Sequence, residues 1–134
     1  MEMGRRVGSQ PTHGAKVDAP SAQTPDFGDV SEEGRKGDKI RLELVNEAFP
    51  LALMDLARLM TWAITVKGYK EGDWVRVSTG AQGYRGAMLR HDNKECSGVS
   101  HDHESKLRHA THTAWNAIAR LQLLLQEDAK HDQA

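Results

Sequence analysis

One cysteine, Cys96, is all the thiol that this chain of 134 residues carries. A lone thiol closes no internal disulfide and supplies no cysteine-rich zinc site, so a reducing compartment such as the cytoplasm is expected. Long apolar runs are missing as well. No stretch approaches the roughly 18 consecutive apolar residues of a membrane span, and the opening MEMGRRVGSQPTHG has two arginines with nothing apolar behind them, unlike a secretion signal. Charge of one sign is also lacking: 18 Lys and Arg stand against 19 Asp and Glu, a formal charge of −1. Proteins that coat nucleic acid by releasing counterions ordinarily concentrate a large basic excess on one face, so no stable nucleic-acid binding is expected. Aromatic residues make up 5%, few enough that each ring is worth placing. Histidine, by contrast, is abundant: five of the seven fall between His91 and His112.

The pattern along the chain is that of an all-α domain with an appended arm. Residues 1–36 are rich in Gly, Pro, Ser, Asp and Glu with almost nothing to bury, which predicts a disordered or loosely docked segment. In GDKIRLELV, Ile40, Leu42 and Leu44 alternate with Lys39, Arg41 and Glu43, the period of a short extended strap. Asn46 reads as an N-cap and Pro50 as a first-turn residue, opening a helix that carries Leu51, Met54, Leu56, Leu59, Trp62, Ala63 and Val66 to Lys67 and stops at Gly68. The loop KGYKEGDWVRVSTG, with Lys67, Tyr69, Lys70 and Trp74 among glycines, suits contact with anions and rings. A second helix is expected from Ala81 to Cys96, with Tyr84, Met88, His91 and Glu95 on one face, and a third from Asp102 to Leu125. The expected domain spans 37–126, and 127–134 is a polar tail. Three main helices enclose little core, so oligomerisation is expected to complete it, with the leucines of LQLLLQ as exposed candidates.

On a helical wheel, Leu107, Ala110, Ala114, Ile118, Leu121 and Leu125 form one apolar stripe, expected to be buried. Ser105, His109, His112 and Asn116 gather on its flank. Asp102 and Glu104 stand in the first turn, where the helix dipole favours carboxylates but equally favours a phosphate. Together with His91 and Glu95 from the second helix, Asp102, Glu104, His109, His112 and Asn116 are donors suited to a divalent cation, Mg2+ or Mn2+. A lone HxxH more often hydrogen-bonds within a core than binds metal; the added carboxylates are what favour a ligand set. Nothing matches the HExxH pattern of zinc peptidases. Lys36, Lys39, Arg41, Lys67 and Lys70 are candidate phosphate contacts, although any single lysine is most simply a solvated charge. Trp74 and Tyr84 are candidates to stack on a base or to pack an interface, whereas Trp62 and Trp115 lie in apolar patterns and read as core.

In order, KGDKIRLELV, DLARLMTWA, KGYKEGDW, GAMLRH and DHESKLRHATHTAWNAI resemble the segments of the phage and prophage dATP/dGTP diphosphohydrolase family, related to the MazG-like all-α nucleotide pyrophosphohydrolases. The likeness runs from Lys36 to about Leu125. Family members typically carry a "KPRLDLIP" opening, a "KYGDRNW" loop, an "LLRH" segment and a "DxESGLPHLAHxxxN" segment. Here Lys39–Val45, Lys67–Trp74, Leu89–His91, and Asp102, Glu104, Ser105, Leu107, His109, His112 and Asn116 stand in those places. The chain departs from the pattern where Lys-Leu-Arg-His, ending at His109, replaces Gly-Leu-Pro-His, and where VRVS follows Trp74.

The resemblance implies hydrolysis of a purine deoxynucleoside triphosphate, dGTP or dATP, to its monophosphate and pyrophosphate, adjusting the nucleotide pool. It implies a homo-oligomer, dimer or tetramer, with the site between helices, working in the host cytoplasm if a phage encodes it. Under this reading Glu104, His109 and His112 are catalytic, and Glu95, Asp102, Glu104, His91, His109, His112 and Asn116 serve the metal. Lys39, Arg41, Lys67, Tyr69, Lys70, Trp74 and Tyr84 bind substrate. The rival expectation is a small non-enzymatic helical interaction module whose histidines are structural or bind zinc.

Overall fold

The computed structural model describes residues 39–133. The arm expected over 1–36, Lys36 included, lies outside the described residues. The chain divides at Arg41, and Lys39 and Arg41 belong to the first unit; the unit that begins at Leu42 contains every helix found among the described residues. It is all-α: among the described residues there are helices α1 (Glu43–Ala48), α2 (Pro50–Thr65), α3 (Gly80–Cys96) and α4 (His109–Asp132), one 3-10 turn over Asp73–Arg76, and no strand.

Two expectations for the first segment are corrected. Glu43–Ala48 is helical, not part of an extended strap, since an acidic residue in its first turn complements the helix dipole and no second strand is at hand to pair with it. Asn46 lies inside that helix rather than capping the next one. The break falls at Phe49, with φ −126° and ψ 42°, because Pro50 crowds the residue before it out of the helical region and is itself best placed at the first helical position. Gly68, at φ 77°, supplies the left-handed residue that lets the chain leave α2.

α3 and α4 make the most extensive helix contact, and α2 packs on α4 over a smaller area. The third helix begins later than expected, at His109 rather than Asp102. Residues 100–109 instead close a tight loop, with Asp102 N–H donating to Leu107 O at 2.8 Å, Lys106 N–H to Asp102 O at 3.0 Å and His109 N–H to Ser100 O at 2.9 Å. The Asp102 carboxylate turns the loop by accepting the Ser105 N–H at 2.8 Å, the local bonding by which Asp competes with helix formation. Lys106 adopts φ 64°, which a helix cannot continue through. At its other end α4 runs on to Asp132.

The orientation of α4 is the second large correction. His109, Thr111, His112, Asn116 and Ala119 are its buried residues. Ala110, Ala114, Ile118, Leu121 and Leu125 of the supposed core stripe are exposed, with Ile118, Leu121 and Leu125 each more than half open. Leu59 and Ala119 are the buried apolar residues among those described. The polar flank faces inward because α3 and the 100–109 loop meet it with groups that bond to it, as described next.

Candidate functional site

The buried flank of α4 faces the end of α3 and the 100–109 loop, and three imidazoles converge there. His91 from α3 lies flat on His112, ring centroids 4.2 Å apart and planes 13° from parallel. Its Nδ1 is 2.8 Å from His109 Nδ1. Trp62 of α2 meets His112 edge-on at 6.5 Å. Asp102 completes the group: ligand atoms of His91, Asp102 and His109 all lie within 4.8 Å of one another.

Ser105 fixes the carboxylate and the remaining imidazole at once. Its Oγ donates to Asp102 Oδ2 at 3.0 Å and lies 2.8 Å from His112 Nε2. A hydroxyl has one proton. If that proton goes to the carboxylate, Oγ accepts from Nε2–H, and His112 keeps a lone pair on Nδ1. His112 Nε2 is also 3.7 Å from Asp102 Oδ2.

The electrostatics follow from burial. Desolvation pushes His91 down to about 4, and the neighbouring His112 and His109 oppose a further positive charge. His112 is lowered too, first by burial, against the pull of Asp102. For Asp102 burial is the largest single effect and acts upward, yet the two bonds from Ser105 and the nearby imidazoles outweigh it and hold the carboxyl below its ordinary range. Near neutral pH the cluster therefore presents neutral His91 and His112 rings and an ionised carboxylate, the protonation states in which these groups ligate a cation. The geometry fits one. Two nitrogens each about 2.1 Å from a cation and at right angles about it lie about 3.0 Å apart, close to the His91–His109 separation of 2.8 Å.

A cavity of about 800 Å3 opens beside this cluster, with His91, His112 and Asn116 on its wall. Trp74, Tyr84 and Trp115 line it as an edge-to-face set, with centroids 5.5 to 6.4 Å apart. Tyr84 OH donates to Trp74 O at 2.5 Å, pinning the 3-10 turn to α3. The space exists because α3 turns Gly83 and Ala87 toward it; a Cβ at position 83 would collide with the Thr79 side chain.

The structure brings some of the residues singled out in the sequence together and leaves others apart. His91, Asp102, His109, His112, Ser105 and Asn116 are brought together, and Tyr69, Lys70, Trp74 and Tyr84 line the adjoining cavity. Lys67 and Glu104, assigned to phosphate and to metal, bond each other at 2.5 Å on the surface, with Lys67 Nζ 5.6 Å from the Trp62 ring; that hydrogen bond and charge raise Lys67 and lower Glu104. Glu95 is exposed one turn beyond His91 and is not part of the His91–Asp102–His109 group. Lys39 and Arg41 lie in the separate first unit. Sequence reasoning missed Arg90, which lines the cavity beside His91, and it took Trp62 and Trp115 for core although both are half-buried cavity walls. The small residues Gly83 and Ala87 on either side of Tyr84 on α3 were the available signal.

Comparison with the curated proteins and with the solved structures finds no match. The sequence profile described as dATP/dGTP diphosphohydrolase, N-terminal, matches residues 30–133, a span that includes every helix and every residue of the cluster and cavity. The chain belongs to that dATP/dGTP diphosphohydrolase family.

Proposed function

We propose that the chain is a divalent-cation-dependent hydrolase that cuts a purine deoxynucleoside triphosphate, dGTP or dATP, between its α- and β-phosphates, acting as a homo-oligomer. The observation that carries this reading is the placement of two imidazoles and a carboxylate within one cation's reach beside an aromatic-lined cavity, with His91 on the wall of that cavity. His91, Asp102 and His109 would hold the cation. It would supply Lewis acidity and positive charge to the triphosphate, and an imidazole-rich set favours Mn2+ over Mg2+. Glu95 and Glu104 remain further candidate ligands from the sequence, and Glu104 reaches that role by parting from Lys67; Asn116, also a candidate there, is assigned to the base instead.

His112 is the imidazole left over, and its neutral state equips it to take a proton from the attacking water. The water oxygen joins the α-phosphorus while the bond from that phosphorus to the bridging oxygen breaks. The bridging oxygen leaves with pyrophosphate, and the monophosphate remains. Trp74, Tyr84 and Trp115 offer the base a stacking wall. Lys70 and Arg90, cations on the same cavity, offset the charge that builds on the departing phosphates, and Lys67, Lys39 and Arg41 are proposed to add to it.

The test is incubation with each of the four deoxynucleoside triphosphates and Mn2+ or Mg2+. Monophosphate and pyrophosphate from the purine substrates support the reading, and silence with all four and both metals sinks it. A second reading, a non-catalytic helical module with a structural zinc, is favoured by the same imidazole pair. It predicts that Zn2+ raises the melting temperature with no turnover of any nucleotide.

A further inference from the structure

Asn116 is 6% exposed and sits on the cavity wall. Its Nδ2 donates to His112 O at 2.8 Å, and only the nitrogen end of a carboxamide can bond to a carbonyl, so the amide cannot be flipped. Oδ1 is the polar atom that remains. Among the described residues none is found donating to it, and none of their buried side-chain oxygens lacks a partner, so Oδ1 keeps access to water at the cavity that Asn116 lines. An acceptor held in one orientation at a cavity wall can exchange a water for a ligand's donor with little reorganisation. The opposing walls are rings: Trp62, Trp74, Tyr84 and Trp115. A flat, mostly apolar ligand that carries N–H donors on its edge fits both features.

We propose that Asn116 is a specificity-determining residue that reads the N–H edge of a guanine base through its amide oxygen. Guanine presents two adjacent donors, N1–H and the N2 amino group, so Oδ1 meets a donor wherever it falls along that edge. At the same two positions adenine offers its N1 lone pair, which sets acceptor against acceptor, and C2–H, which is no match for an N–H donor. A hydrogen bond of this kind is ordinarily worth a factor of about 5 to 30 in affinity. This inference rests on the proposed function for its ligand class, but it concerns binding of the base alone.

The experiment is therefore performed with nucleosides, which carry no phosphate and need no metal, following quenching of the cavity tryptophans on the full chain. Deoxyguanosine is expected to bind more tightly than deoxyadenosine. Asn116→Ala is expected to lose most of that preference, about 5- to 30-fold. Retained preference in Asn116→Ala, an equal loss for both nucleosides, a preference for deoxyadenosine, or no quenching by either nucleoside each overturns the proposal. Circular dichroism melts accompany each variant, and if Asn116→Ala is unfolded, Asn116→Ser supplies the comparison. Failure of the catalytic reading looks different: quenching by deoxyguanosine persists, but no triphosphate is hydrolysed.

Discussion

Asp102 is the residue at which stability and metal binding separate most cleanly. Its Oδ2 accepts the Ser105 N–H at 2.8 Å and the Ser105 hydroxyl at 3.0 Å, and its side chain is only 13% exposed. Bonds to an ionised acceptor are worth about 1.5–3 kcal/mol each, but the two share one partner and do not add. Asp102→Ala should therefore cost about 2–3 kcal/mol. For a domain of this size each kcal/mol moves the melting temperature by about 4–8 °C, so a fall of about 8 °C or more is expected in metal-free buffer. Asp102→Asn keeps an acceptor toward Ser105 and loses the negative charge, so it should melt within about 1 kcal/mol of the parent yet bind Mn2+ at least about 100-fold more weakly. Differential scanning calorimetry gives the first quantity and titration calorimetry with Mn2+ the second. Unchanged Mn2+ affinity in Asp102→Asn would remove Asp102 from the ligand set, and an unchanged metal-free melt in Asp102→Ala would show that the Ser105 bonds do not hold the loop.

Further expectations concern other parts of the molecule. His91 has a lowered pKa in the folded chain, about 4 against an ordinary 6.5, so the unfolded chain binds the proton more readily. Its contribution is intact above pH 6.5 and is lost as the pH falls toward 4; metal-free melts should decline across that window, and less steeply in His91→Gln. Lys106 pays for a left-handed backbone at φ 64°, so Lys106→Gly should be neutral or stabilising by up to about 1 kcal/mol while Lys106→Val is clearly destabilising, as measured by urea unfolding. Ile118 is 52% exposed, so Ile118→Ala should cost a lone chain less than about 1 kcal/mol. Ile118→Glu should shift sedimentation toward monomer if a second copy covers this face; identical sedimentation would place the contact elsewhere. Trp74→Ala removes a cavity wall and should weaken nucleotide binding by about 10-fold, read by titration calorimetry.

Element type was legible from the sequence because it depends on local signals. Pro50, Gly68 and the Ser97-Gly98 pair punctuate the chain where helices begin or stop, and Gly80–Cys96 lies within one residue of the helix expected from Ala81. The imidazole–carboxylate grouping was also legible, since His109, His112 and Asn116 fall on one face at steps of three and four. The facing of α4 was not. Periodicity reports which residues share a face, and the choice of the face turned inward was made by partners distant in sequence: His91 bonding His109, Asp55 accepting from Thr111, and Ser105 bridging Asp102 and His112. The turn at Asp102 was hidden for a similar reason. A carboxylate in the first turn of a helix and one that closes a loop just before it look alike in sequence, and only the left-handed Lys106 tells them apart.

Among the described residues, the interior holds four polar side chains, His109, Thr111, His112 and Asn116, and two apolar ones, Leu59 and Ala119. So small an oily nucleus leaves little cohesion to be had from water expulsion alone. Whatever fills the ring-walled space or bridges the imidazoles adds its binding free energy directly to the resistance of the fold against unfolding. Heat tolerance thus becomes a gauge of occupancy, and a thermal-shift screen of cations and nucleotides would rank ligands without requiring any of them to react.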